Sequence, residues 1–442
     1  MRDEGFARGF MYVLLVFMIV GLGILIFFNY QANAAQQAQI EAAEIAAATT
    51  PTPPPTPTPA PTPTPTRNVE TVTLAAAGDI VAQPGLTTDA EVTEGDTVTY
   101  DYSEELAGAA PSLEGADFAV CTLVGTLSAR GPYDASYRMD AALATALAGT
   151  GFRLVNGATD HILDFGLDGL TATLNALGDE GLAAAGIYRS SAMHGAYLAD
   201  IHGVQVAFLS YTYGTGGVSV VDNPWCVDIL TQDYMTGQTA VDYERIDSDI
   251  AAVRAAGADV VVTFVYWWDN TQYYTQTRES QTEVAEHLMQ SGADIILGGG
   301  VKTPQPIEVH TVERADGTKA NCVVCYSLSN LMSCFNDRYT NLAATARIEI
   351  SRDTDTGETW ISGVSYCPLF MLDTGDYADY TDPGYKYRVL DAYAAIDDYE
   401  NGGESITASV YDAILTGVSD LQSILGAEYD VRSGGVAMDF PY

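Results

Sequence analysis

Residues 49–66 read TTPTPPPTPTPAPTPTPT, and no other stretch restricts the fold of this chain as strongly. Proline fixes φ near −65° and has no amide hydrogen, so the run can enter neither a helix interior nor a sheet. It prefers extended polyproline II. At about 3.1 Å per residue it reaches on the order of 55 Å. The chain is therefore expected to be a short N-terminal part and a long C-terminal part joined by a stalk.

The N-terminal part holds GFMYVLLVFMIVGLGILIFF, Gly9 to Phe28, with no charged residue. At about 1.5 Å rise per residue it spans roughly 30 Å, the depth of a bilayer core. Arg2 and Arg8 precede it, and the next basic residue is Arg67. The positive-inside bias places residues 1–8 in the cytoplasm, residues 9–28 in the membrane and the rest outside the cell. A cleaved signal peptide is the competing reading, because Ala32-Asn33-Ala34 resembles a cleavage site. The apolar run is longer than a signal core of about 7–15 residues, which favours a retained anchor. Residues 29–48, rich in Ala, Gln and Glu, predict a juxtamembrane helix.

Beyond residue 66 the pattern changes. TVTLAAAGDI, DFAVCTLVG, FRLVNGA, VQVAFLSYTYG, ADVVVTFVYW and ADIILGGG read as apolar strands. Helical patterns such as GLTATLNALGDEG and YERIDSDIAAVRAAG lie between them. This alternation predicts an α/β domain over residues 67–442. In such domains ligands gather at the carboxyl ends of the strands. The formal net charge of −39 disfavours binding to nucleic acid, whose phosphates it repels. Six cysteines follow the stalk, and Cys322 and Cys325 have CxxC spacing. Strand alternation sends those two sulfurs to opposite faces, so core cysteines are expected rather than a zinc or redox pair.

Gly78-Asp79, after the first strand, is a candidate source of a hard oxygen ligand. NGATDHILDFGLDGL, residues 156–170, sets His161 between Asp160 and Asp164. It reads either as part of a metal site or as a histidine satisfied in a strand-to-helix turn. Asp168 falls in the first turn of the next helix, where an acid suits the dipole.

These blocks in this order resemble the capsule synthesis protein CapA family, associated with poly-γ-glutamate and related to metallophosphoesterases. The resemblance runs from about residue 71 to 369. It rests on AAAGDI, ADFAVCTLVGTLS, NGATDHILDFGLDGLTATLNAL, VAFLSYTYGTGG, DVVVTFVYWWDN, GADIILGGGVKTPQPIE and CYSLSNL. It implies a four-layer α/β/β/α metallophosphoesterase-like sandwich with a polar site at the strand ends.

The departures bear on the chemistry. The family's Asn-Leu-Glu corresponds to Thr122-Leu123-Val124, and its Asn-Asn-His to Thr159-Asp160-His161. Its His-Trp-Gly corresponds to Tyr266-Trp267-Trp268, and its histidine near Gly298 is absent from Gly299-Gly300-Val301-Lys302. Two-metal hydrolysis needs several imidazole and carboxylate ligands, and only Asp79 and His161 clearly remain, with Asp160 a substitute oxygen. The expectation is a cell-surface protein with a degenerate site and no cofactor. It would bind a capsule or wall polymer, with Tyr266, Trp267, Trp268, Tyr273 and Tyr274 as a stacking platform and Asn330 nearby. The alternative is a hydrolase or transferase holding one Mn²⁺ or Mg²⁺ on Asp79, Asp160, His161, Asp269 and Glu279.

Overall fold

The computed structural model describes residue 31 and residues 67–441, apart from 234–237, 268–272, 316 and 381–383. The expected membrane span at 9–28 and the stalk at 49–66 lie outside the described residues. Among the described residues no helix is long and apolar enough to cross a membrane. By its contacts the chain divides between Thr66 and Arg67.

Among the described residues two main sheets are built along these strands: β1 Val69–Val81, β2 Phe118–Val124, β3 Leu154–Asn156, β4 Ala183–Ala185, β5 Tyr197–Ile201, β6 Val204–Thr212, β7 Val260–Tyr266, β8 Ile295–Gly299, β9 Pro304–Glu313, β10 Lys319–Leu328, β11 Leu342–Asp353, β12 Thr359–Asp373 and β13 Tyr387–Asp391, with Asn330–Met332 and Val436–Ala437 pairing at the side of the first sheet. The first sheet runs β13-β12-β11-β1-β2-β3-β4 and the second β9-β10-β8-β7-β6-β5. Within them β1 to β4 are parallel, as are β6, β7, β8 and β10.

Parallel strands buried on both faces read as continuous apolar runs, and the alternation along each run decides which layer a side chain enters. Leu74 of β1 and Val120 of β2 share a core with Val206, Phe208, Val262 and Phe264 of the second sheet. The intervening Ala75 and Cys121 face outward, under Leu143 and Leu147 of α1 (Ala142–Thr150) and Leu177 of α2 (Gly166–Asp179). On the other side Ala207, Val261 and Ile296 meet Ile246 and Ile250 of α3 (Tyr243–Ala255) and Val284 and Leu288 of α4 (Glu279–Ser291). Two sheets thus lie face to face, each covered outside by helices. The C-terminal helices α5 (Ala392–Glu400) and α6 (Ala408–Leu425) send Ile396, Val410, Ile414 and Leu421 into the core between the sheets.

All six cysteines are free thiols. Cys325 packs between the sheets and Cys322 under the helices of the second sheet, so the CxxC pair shares no site.

Candidate functional site

The carboxyl ends of the parallel strands of both sheets converge, and the candidate residues are gathered there. Asp79 lies inside β1 rather than in a loop after it, and is 3% exposed. The pairing of β1 with β2 shifts between Ala76 and Asp79, and the Asp79 amide donates to the Ser329 carbonyl at 2.8 Å. That approach needs a glycine before it: a Cβ on Gly78 would stand 2.2 Å from the same Ser329 oxygen. Across the gap the Gly300 amide donates to Asp79 Oδ2 at 2.7 Å. Burial pushes the Asp79 carboxyl up to about 7, against the pull of the Gly300 hydrogen bond and with a smaller push from Asp160.

Asp160 and His161 lie in the turn between β3 and α2. Asp160 is 5% exposed, and its carboxyl is raised above the usual range by burial, partly offset by His161. Its side chain is hydrogen-bonded by the Tyr266 hydroxyl at the end of β7. Asp160 Oδ1 is buried with no hydrogen-bond partner among the described residues. His161 Nδ1 lies 2.8 Å from Asp164 Oδ2, and its Nε2 lies 3.5 Å from Asp160 Oδ2. One face of the imidazole is covered by Tyr137, with ring centroids 3.3 Å apart and planes 7° from parallel. Tyr137 holds a left-handed φ of 65° and is pinned by its amide to Ala82 and by its carbonyl to Thr126. No sequence pattern marked Tyr137, because a loop residue that reaches a site through tertiary contact has no periodicity to betray it.

Val124, at the position where the family carries a carboxylate, is 2% exposed and packs with Val81 and Tyr266. The stacking platform is corrected in part. Trp267 is 2% exposed, packs under the helices of the second sheet and donates its indole N–H to the Tyr326 carbonyl at 2.9 Å. Tyr266, the last residue of β7, is buried as well, in a small cluster with Val81 and Val124. Trp268 and Asp269 lie outside the described residues. Tyr273 and Tyr274 are exposed. Asn330 is buried, and its amide donates to the Lys302 carbonyl at 3.1 Å. The Lys302 ammonium sits over Phe335 at 4.2 Å and Tyr273 at 5.5 Å. Burial lowers its pKa, while Asp160 and Asp337 oppose the shift. Glu279 is exposed on the first turn of α4.

Among the described residues no group of three or more His, Cys, Asp and Glu side chains is arranged to hold a metal ion. The Nδ1 of His161 is engaged by Asp164, and Val124 and Tyr266 fill space where the related pattern has ligands. The other four histidines pair with carboxylates elsewhere: His194 with Asp228, His202 with Asp117, His287 with Asp247 and His310 with Glu308.

The model of the family described as bacterial capsule synthesis protein PGA_cap matches residues 73–334. The chain belongs to that family. It is similar to the PGA biosynthesis protein CapA of Bacillus subtilis (strain 168), with 27% identity over 202 residues, 45% of this chain and 46% of the relative. It is also similar to the capsule biosynthesis protein CapA of Bacillus anthracis, with 24% identity over 215 residues, 48% of this chain and 47% of the relative. The matches thus span about half the length of these curated relatives. Among solved structures, a 5'-nucleotidase precursor from Thermus thermophilus aligns with a TM-score of 0.39 at 13% identity, over 80% of this chain and 59% of the other. A calcineurin-like phosphoesterase from Bacillus subtilis aligns with a TM-score of 0.38 at 12% identity, over 80% of this chain and 98% of the other. The four layers themselves follow from the sheet order and the core packing of this chain.

Proposed function

We propose that this capsule synthesis family member is anchored in the cell membrane by residues 9–28 and binds a surface polymer of the poly-γ-glutamate type without cleaving it. The supporting observation is the packing of Val124 against Tyr266 beside Asp79 and Asp160. Hydrolysis by the related chemistry needs anionic ligands around a cation and a placed water. Here the two acids stand in a nearly dry environment, and burial raises both carboxyls, that of Asp79 to about 7. A neutral acid donates a hydrogen bond, which suits a carbonyl or carboxylate of a bound chain. The exposed ring of Tyr273 and the Lys302 ammonium form the adjoining rim.

A second reading has one observation in its favour. The buried, unpartnered Asp160 Oδ1 is a place where a single Mn²⁺ or Mg²⁺ would find an oxygen. The two readings separate on one experiment. The full chain is incubated with poly-γ-glutamate, and both retention of the polymer and its length are followed, with and without chelator. Retention with unchanged length supports binding. Shortening that chelator stops and Asp79→Asn abolishes would establish the enzyme instead.

A further inference from the structure

The strand pair that carries Tyr137 continues into a second concavity. Thr126–Ser128 and Arg138–Asp140 pair in parallel, so Tyr137, stacked on His161, is followed directly by Arg138. A cavity of about 580 Å³ opens there, lined by Thr126, Ser128, Arg130, Arg138, Phe165 and Asp168 among others. The Arg138 guanidinium lies over the Phe165 ring at 4.9 Å. One of its nitrogens donates to Ser128 Oγ at 3.0 Å and to the Arg130 carbonyl at 2.8 Å.

We propose that this cavity is an anion site that takes a carboxylate or phosphate group. The chain has 19 basic against 58 acidic side chains, so a guanidinium would be expected to have an acid beside it. Arg245, Arg254, Arg314, Arg388 and Arg432 do, while Arg153, Arg189 and Arg347 donate to neutral oxygens of the protein itself. Neither Arg130 nor Arg138 is ion-paired to a carboxylate among the described residues, and both line one cavity. Arg138 is held rigidly on a strand by one ring and two acceptors, with donors left over for a ligand. A preorganised planar fork loses little freedom on binding an oxyanion. The chain's overall negative field repels anions at a distance, so binding one requires local cations of this kind. Asp168, on the first turn of α2, is the opposing charge and limits the affinity. The site is separate from Asp79 and Asp160 and holds whichever chemistry those acids perform.

The test titrates the full chain in detergent with pentaglutamate and with inorganic phosphate, by calorimetry at low salt. At least one probe should bind. Arg138→Gln should weaken binding by about tenfold or more, and salt should weaken it further. Asp168→Asn, at an exposed position that leaves the core untouched, should tighten binding severalfold. Preference for pentaglutamate identifies a polymer carboxylate as the ligand, and preference for phosphate identifies a phosphorylated one. No binding of either probe to the wild-type chain overturns the proposal. So does affinity unchanged in Asp168→Asn, which decides the matter if Arg138→Gln fails to fold.

Discussion

The Gly300 amide donates to Asp79 Oδ2 at 2.7 Å, joining β1 of the first sheet to the segment that follows β8 in the second. One buried acid thus helps to hold the two sheets together at the end where their parallel strands converge. Its protonation state is therefore coupled to stability.

Burial raises Asp79 from an ordinary 3.8 to about 7 in the folded chain. Between those values the folded state keeps a proton that the unfolded state has released, so stability falls as pH rises through the window. Below about pH 4 both states are protonated and no penalty exists. Above about pH 7 the penalty is complete, on the order of 4 kcal/mol at about 1.36 kcal/mol per pKa unit. Asp79→Asn, which keeps an acceptor for Gly300, should flatten this slope and raise stability at pH 8 relative to wild type. Denaturant midpoints across pH 4–8 measure it. Parallel pH profiles for the two proteins would mean that Asp79 is ionised and solvated in the fold.

Val124→Glu should destabilise the chain by roughly 2–4 kcal/mol, because it places an unpaired charge against Val81 and Tyr266. Thermal unfolding checks this. An unchanged melting temperature would show that the space beside Asp79 is wet, and would favour the enzymatic reading.

Two glycines should respond in opposite directions. At Gly78 an added Cβ meets the Ser329 oxygen at 2.2 Å, so Gly78→Ala should cost about 1–3 kcal/mol or more. At Gly178, in the last turn of α2, an added Cβ meets nothing within 4 Å. Gly178→Ala should therefore stabilise by about 0.5–1 kcal/mol. Chemical denaturation of both variants against wild type tests the pair, and equal effects would contradict the close approach of β1 to Ser329.

The strands that organise this site were legible because burial on both faces leaves unbroken apolar runs: DFAVCTLVG holds β2, ADVVVTFVYW holds β7 and ADIILGGG holds β8. The same property hid the fate of Trp267. A run apolar at every position does not say which ring faces the core and which a cleft, and only the packing of β7 under α3 and α4 decides it. Asp79 and His161 were visible as polar interruptions beside glycine. Tyr137 and the Arg138 cavity were not, since residues 129–138 have no period and reach the site through pairing with Thr126–Ser128. The closure of the core by α5 and α6 is likewise a long-range packing result, with no local signature of which sheet they would cover.

Topology gives a separate test. With a retained anchor, protease added to intact cells should cut within the proline-rich residues 49–66 and release a soluble fragment. N-terminal sequencing of that fragment locates the cut. Spontaneous release with Ala35 as the first residue would establish signal cleavage and remove the membrane from the proposal.

Metal affinity bears most directly on the chemistry. Tight transition-metal sites use three or four protein groups that include a nitrogen or sulfur ligand. Here the site end offers Asp79, Asp160 and His161. Burial raises both carboxyls, that of Asp79 to about 7, and His161 is engaged at Nδ1 by Asp164 and covered on one face by Tyr137. An ion entering this space would have to compete with the proton on Asp79 and draw His161 away from its partners. Each of those steps subtracts from affinity. A calorimetric Mn²⁺ titration of the dialysed full chain should therefore show only weak binding, in roughly the millimolar range where water supplies most ligands. Raising the pH from 6 to 8 should strengthen it, because Asp79 then loses the proton that competes with the metal. A stoichiometric site of micromolar affinity, lost in Asp79→Ala, would refute the binding-only reading and place Asp79, Asp160 and His161 at the centre of a working enzyme.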